Sequence, residues 1–440
     1  MVLKQPDKKR IVITGIGPLC SLGIGGEEIW GSLLRERLNL AKHSYRLHDE
    51  IWGSYHLHKM RKFDINDFGF SSQSLSFIKE LRGFKKEDTD LSYFLAAVKL
   101  AIQDSSLQYD EDNDIGLVLT HENPGMESFF EDFISSVYAQ IDKLRNSDSI
   151  KIDKLEIAKN IYHDCESAGY SLQTFSYLYS VAKMFDLHGY SIFINNACAS
   201  GLFAIEAATN QLRSGLNSAV IVAAVDNPTK AYKYEWFKNK GLYAEDGITR
   251  PFSSGRSGIV FGDGGAALVL ETFEHASERN AKVYAEYLGG GFSLEGWKIT
   301  VPDVSSNYYE RSLSKAISLS GVSTADIDLI NPHGVGMKIT DTYEANTINN
   351  VFQDRKPFVS AFKPLVGHNL GGSALLETAI LLYSLNKGII PPTLNCEMYD
   401  DRHRLNIVRD LKKASMRTVV KMACGFAGFS GAAVFKKIEP

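Results

Sequence analysis

At 440 residues, with 44% hydrophobic and 23% charged residues, the chain has the make-up of a globular protein of about two to three domain-sized units, not of a disordered or fibrous one. Forty-eight Lys and Arg against 52 Asp and Glu leave a formal charge of −4, so no basic excess points to a nucleic-acid partner. The longest clean apolar run, 219–225, is too short to span a bilayer, the N-terminal stretch lacks the apolar core of a signal peptide, and five scattered cysteines without C-x-x-C spacing argue against a disulfide framework or zinc site; a reduced, cytoplasmic protein is expected.

Apolar runs alternate with helical patterns, the signature of an α/β fold. RIVIT, 10–14, reads as a buried strand that ends at Gly15. Leu91, Phe94, Leu95, Val98, Leu100 and Ala101 predict an amphipathic helix over 91–105. Strands follow at 115–120 and 192–195, the second running straight into ACASG. A helix over 200–212, closed by Gly215, leads to strands at 219–225 and 266–271. Between 136 and 178 the pattern weakens into an insertion with some helix, and 230–249 reads as a long polar, aromatic-rich loop of the kind that forms lids.

The rest of the chain repeats that order. A strand at 283–288 is broken by Gly289, Gly290 and Gly291, and a helix follows over 308–319. A strand at 327–330 stops at NPHG, and one at 358–362 leads into the turn VGHNLGG. A helix over 372–385, closed by Gly388, precedes strands at 418–423 and 432–435 that flank a Gly-rich turn. The repeat is one of element order, not of residues. It predicts two similar halves, 1–272 and 273–440, the first with an insertion near 121–180, packed face to face with a site where strand ends meet.

Cys198 sits where a strand gives way to a helix, amid the small residues Ala197, Ala199, Ser200 and Gly201. It reads either as a small buried hydrophobe or as a nucleophile on a tight elbow, where a helix N-terminus lowers the thiol pKa. The histidines favour the nucleophile. His333, in NPHGVG, and His368, in KPLVGHNLGG, each follow a strand and precede glycines. Glu377 lies among Leu375, Leu376, Ala379 and Ile380, so its carboxylate needs a partner, and Lys363 is the candidate. Asp341 and Glu344 read as a helix cap that fixes the His333 turn. In ACGFAGFSGAAVF the glycines suit either a bulged hairpin or half of an oxyanion hole, with the Phe426 and Cys198 N–H groups as donors. Cys424 reads as buried and inert.

ACASG, NPHG, KPLVGH and GFAGF, in this order, resemble the β-ketoacyl synthase family, as do RIVITGIGPLCSLG and RPFSSGRSGIVFGDGGAALVLE; the matches run along nearly the whole chain. The resemblance is closest to ketosynthase subunits of type II polyketide synthases, with fatty-acid elongation synthases next. It implies a thiolase fold, two mixed α/β halves layered α-β-α-β-α. It also implies an acyltransferase that condenses malonyl units, borne on acyl carrier protein, with a Cys-bound acyl group, working without cofactor or metal as a homodimer or as a heterodimer with a second synthase-like chain. By the resemblance Cys198 is the acylated nucleophile, His333 and His368 bind the malonyl thioester carbonyl, Lys363 and Glu377 support them, and Phe426 is a gate. Val335 and Met337 depart from the hydroxyl-bearing residues of relatives, Ser253 and Ser257 from aspartates, and Asn196 from a threonine; 120–179 lacks the relatives' Gly-rich motif, which implies an unusual acyl pocket. Two other readings stay open: a non-catalytic partner subunit that sets chain length, and a thiolase acting on coenzyme A esters. Arg61, Lys62, Lys79, Arg82, Lys85 and Lys86 form a candidate basic patch for an acidic carrier protein.

Overall fold

The computed structural model describes residues 9–47, 50–82, 88–146, 153–228 and 231–438. The apolar runs become strands of one large mixed sheet. From edge to edge its order is Asn406–Ile407, Phe358–Val359, Leu329–Asn331, Thr418–Cys424, Phe429–Lys436, Ala285–Leu294, Ile11–Cys20, Gly264–Thr272, Ala219–Asp226, Gly116–Thr120 and Ile192–Ile194. Strands toward both edges pair in parallel, whereas those in the middle are antiparallel. The two half-sheets are joined where Ile11, Val12 and Ile13 pair with Tyr287, Glu286 and Ala285.

Two glycine signals have a different cause from the one expected. The first strand does not end at Gly15 but runs on to Cys20. A Cβ on Gly15 would lie 2.3 Å from the carbonyl oxygen of Ala101, and one on Gly17 would lie 2.1 Å from that of Ala97, so these glycines seat the Thr89–Ser105 helix against the strand. Likewise Ala285–Leu294 continues through its three glycines. A Cβ on Gly291 would lie 2.0 Å from the Ser312 carbonyl oxygen, in the helix Tyr308–Ser320.

Five layers result. The Thr89–Ser105 helix covers one outer face, on Ile11–Cys20, Gly264–Thr272 and Ala219–Asp226, and Tyr308–Ser320 covers the other, on Ala285–Leu294 and Phe429–Lys436, with Lys338–Phe352 packed beside it. Between the half-sheets lie Ser200–Ser214 and Ser373–Lys387, in contact with each other. The latter is buried on every side from Ser373 to Leu385, as a helix in a middle layer must be. They cross at Gly201, where a Cβ would meet the Leu375 backbone nitrogen at 2.6 Å. Each ends on a left-handed glycine, Gly215 (φ 73°) and Gly388 (φ 66°).

The insertion is more helical than expected, with helices Met126–Arg145, Lys154–Ser171 and Thr174–Phe185. The segment read as a loop over 230–249 holds a helix, Ala231–Asn239, and a hairpin, Leu40–Leu47 with Glu50–His58, went unforeseen. The two account for each other: Tyr55 stacks on Tyr234 at 4.3 Å, in a buried aromatic cluster with Phe237 and Tyr243. Neither segment has the apolar periodicity that marks an element from sequence, because each buries only a few aromatic side chains against the other.

Candidate active site

Ile192–Ile194 ends in a tight turn in which Ala197 takes φ 50°, an uncommon state for a residue with a Cβ. Ser200 braces the turn: its Oγ accepts from the Asn196 N–H at 2.8 Å and donates to the Ala197 carbonyl at 2.6 Å. Cys198 stands there, almost wholly buried, ahead of the helix Ser200–Ser214. From the other half, the turn between Thr418–Cys424 and Phe429–Lys436 presses against it, so that a Cβ on Gly425 would lie 3.2 Å from the Cys198 nitrogen.

The thiol is not the activated one that helix-end placement predicted. Burial pushes its pKa well above the ordinary value, the Glu122 carboxylate raises it further, and the Lys363 ammonium opposes without prevailing. The Sγ donates toward Glu122 Oε1 at 3.6 Å. In turn, burial and the neighbouring Asp226 push the Glu122 carboxyl up to about 7, against Lys233 and His121.

His333 and His368 meet edge to face, ring centroids 5.6 Å apart. Burial, then Lys363 and Lys421, push both imidazoles well below their ordinary pKa, so both are neutral. Their tautomers follow from their neighbours. The Leu370 N–H donates to His368 Nδ1 at 3.2 Å, and the Lys363 ammonium lies 3.5 Å from His333 Nδ1. Each Nδ1 therefore accepts, which assigns the proton of each ring to Nε2.

Asp341 and Glu344 do not cap a helix; both lie inside Lys338–Phe352, whose cap is Met337. They still hold the turn, because their carboxylates accept backbone N–H groups. Glu344 takes those of His333 (2.7 Å) and Gly334 (2.8 Å), and Asp341 takes those of Phe252 and Gly336. The NPHG loop makes few ladder bonds of its own, so buried side chains satisfy its donors.

Lys363 donates to Glu377 Oε1 and to the His333 carbonyl oxygen, each at 2.6 Å. Sequence reasoning missed that Glu377 is shared: Lys421 donates to its Oε2 at 2.8 Å. The signal was present, a lysine in the apolar strand TVVKMAC, since a buried ammonium requires a buried acceptor. Glu122 was missed as well. Its signal was position, two residues beyond the strand Gly116–Thr120, at the carboxyl end where open α/β sheets place ligands.

Cys198, His333, His368 and Phe426 line one cavity of about 40 Å³, together with Val335, Met337 and Cys424. Lys363 and Glu377 stand behind it and not in its wall. Thr300 and Thr340 line it too, so hydroxyls reach the cavity although Val335 and Met337 bring none. Phe426 packs on Phe237 and Trp236, 5.5 and 5.8 Å between centroids. A larger cleft, about 730 Å³, opens elsewhere, lined by Arg46, Lys59, Arg61 and Lys62 along with Tyr93, Phe130 and Tyr232. Of the candidate basic patch, Arg61 pairs with Glu28 at 2.9 Å, and Lys85 and Lys86 lie outside the described residues.

Fold and site together define a thiol-bearing condensing enzyme of the thiolase fold. The chain belongs to the β-ketoacyl synthase family: residues 8–276 match the model of the "Beta-ketoacyl synthase, N-terminal domain" and 284–397 that of the "Beta-ketoacyl synthase, C-terminal domain". It is 27% identical to 3-oxoacyl-[acyl-carrier-protein] synthase 2 of Coxiella burnetii over 442 residues, 98% of this chain and 99% of the relative. The synthase of the same name from Mycobacterium tuberculosis is 32% identical over 247 residues, 54% of this chain and 59% of the relative. Among solved structures, the ishigamide ketosynthase/chain length factor superposes with a TM-score of 0.82 at 22% identity, over 98% of this chain and all of that one. A type II polyketide synthase acyl-carrier protein complexed with its hexaketide-bound ketosynthase gives 0.77 at 22% identity, over the same shares. No helix among the described residues is long and apolar enough to cross a membrane.

Proposed function

We propose that this chain catalyses the decarboxylative condensation of malonyl-[acyl carrier protein] with an acyl group carried on Cys198, as a β-ketoacyl-[acyl carrier protein] synthase. The observation that carries this reading is a buried thiol sharing one cavity with two neutral imidazoles whose Nε2 atoms bear the protons. The Cys198 sulfur attacks the acyl thioester, and the carrier's pantetheine thiol leaves. The N–H groups of Cys198 and Phe426 hold the oxyanion, a donor of this kind being worth about 3 kcal/mol. Malonyl-carrier follows. Its carbon–carboxylate bond breaks, CO₂ departs, and the electron pair moves onto the thioester oxygen, where the two Nε2–H groups donate. The enolate carbon then attacks the Cys198 acyl carbonyl and the cysteine sulfur leaves.

The halves 1–272 and 273–440 divide this work, the nucleophile coming from the first and both imidazoles from the second. A cavity of about 40 Å³ has room for about one water, so substrate entry requires the Phe426 ring to swing from Phe237 and Trp236. The outermost strand Ile192–Ile194 pairs on one side with Gly116–Thr120 and is half-buried, which suits a dimer made edge to edge, either with a second copy or with a synthase-like partner. The five free cysteines fit a cytoplasmic protein. One observation favours a thiolase acting on coenzyme A esters, namely that a second thiol, Cys424, lines the cavity.

The test is intact-mass spectrometry after incubation with a panel of straight-chain acyl carrier thioesters. The wild-type chain is expected to gain one acyl group and Cys198→Ala none, while Cys198→Gln should still release CO₂ from malonyl-carrier. Full acylation of Cys198→Ala would end the proposal.

A further inference from the structure

The thiol needs a place to send its proton. Among the described residues no hydrogen bond joins the Cys198 Sγ to either imidazole, and the acceptor that meets it is Glu122 Oε1, at 3.6 Å. Glu122 is held in place from three sides. The Asn195 side chain donates to its carbonyl oxygen at 2.8 Å, its own N–H donates to Asp226 Oδ2 at 3.4 Å, and the HNLGG turn stands behind it, where a Cβ on Gly371 would come within 3.1 Å of its nitrogen.

Behind Glu122 lies a buried charge cluster that neither the carbon–carbon bond formation nor the decarboxylation uses. Asp226, at the end of its strand, accepts from Lys233. His121 stands between Asp90 (3.2 Å) and Asp226 (3.7 Å). Burial opposes a charge on His121, but the Asp226 and Asp90 carboxylates outweigh it and raise its pKa. The charged and titratable groups facing the Glu122 carboxyl are therefore Cys198 on the nucleophile turn, Asp226 on its strand, Tyr232 and Lys233 on the helix Ala231–Asn239, and the adjacent His121.

We infer that Glu122 is the general base and acid of the acylation half-reaction, taking the proton of Cys198 as the sulfur attacks and returning it to the departing pantetheine thiol. This deepens the condensing-enzyme reading and rests on it. The step balances. The S–H bond of Cys198 breaks as an O–H bond forms on Glu122, and the sulfur's electron pair makes the new bond to the acyl carbon. As the tetrahedral intermediate collapses, the carbon–sulfur bond to pantetheine breaks, its electron pair leaves with the sulfur, and Glu122 protonates it. No other reactant is consumed. A carboxyl raised to about 7 by burial and Asp226 suits both directions of transfer near neutrality, because it gains and loses its proton with little bias.

The same geometry admits an opposite reading, which makes the test sharp. Were Glu122 only an anion beside the thiol, its removal would ease thiolate formation and speed acylation. The experiment follows single-turnover acylation by intact mass from pH 5.5 to 9, with the acyl carrier thioester that loads the wild-type chain best. Wild-type acylation is expected to rise through about pH 7 as Glu122 loses its proton. Glu122→Gln is expected to be slower by about 10²-fold at pH 7.5 and to lose that neutral limb, its rate climbing only at higher pH. Glu122→Asp, with a carboxylate one methylene shorter, should recover part of the rate and keep the limb. Glu122→Gln acylating as fast as wild type, or faster, overturns the inference, and so does an equal loss in Gln and Asp, since shape and not proton affinity would then be at stake. A wild-type chain that no carrier thioester loads would instead overturn the condensing-enzyme reading beneath it.

Discussion

The two walls around the thiol hold different sets of buried charges. On the Cys198 wall three carboxyls, Asp90, Glu122 and Asp226, face one lysine, Lys233, and one histidine, His121. On the imidazoles' wall two lysines, Lys363 and Lys421, share a single carboxylate, Glu377. On the first wall burial, joined by a neighbouring carboxylate in each case, raises the proton affinity of the thiol and of Glu122, and both hold their protons tighter. On the second, burial and then the ammonium groups of Lys363 and Lys421 lower proton affinity, and His333 and His368 stay neutral. Burial with its neighbouring charges thus does two opposite things around one cavity: on one wall it makes the thiol and Glu122 hold their protons, whereas on the other it keeps imidazole N–H donors from becoming imidazolium.

This contrast can be broken most forcefully at its shared carboxylate. Glu377→Leu would leave two buried ammonium groups without a carboxylate, held only by the backbone carbonyls of His333 and Pro332, at an expected cost of about 3–5 kcal/mol in urea unfolding. Asp226→Leu should cost less, because Asp90 and Glu122 remain near His121 and Lys233. Equal losses would mean that the walls are not electrostatically distinct. Next in size, His333→Ala or His368→Ala in the Cys198→Gln background should slow malonyl decarboxylation by about 10²–10³-fold, as the loss of an oxyanion donor does elsewhere. In the same assay the pH profile sharpens the point. An imidazole whose folded pKa is depressed stays neutral until the pH is well below its ordinary 6.5, so decarboxylation should remain level as pH falls through that value. A decline centred near 6.5 would show that the second wall does not hold the rings neutral. Smallest of all, Cys424→Ser should leave acylation and condensation unchanged within error. Burial pushes that thiol up to about 12, and a condensing enzyme does not use it; a large loss would restore the thiolase reading.

How much was legible depended on whether a signal was local. The closing glycines Gly215 and Gly388 were readable, because a left-handed C-terminal residue is a property of the chain itself. Gly15 and Gly291 were misread as strand ends, since the reason for them is a helix that arrives from far along the sequence. The pairing of Lys363 with Glu377 was readable because a carboxylate in an apolar helix demands a partner. Lys421 makes the same demand but lies 44 residues from Glu377, in a strand read only for its apolar content.

From the order of residues alone came the alternating α/β elements and a thiol and two imidazoles each placed at a strand-end turn. That much is decided by backbone preference and side-chain chemistry acting over a few residues. The proton affinities of those same groups were set by the tertiary structure, which turned an expected thiolate into a proton-holding thiol and fixed the tautomers of both rings. Burial and the approach of charges from distant parts of the chain decide such quantities, as Asp226 acts on Glu122 across 104 positions and Lys363 on His333 across 30.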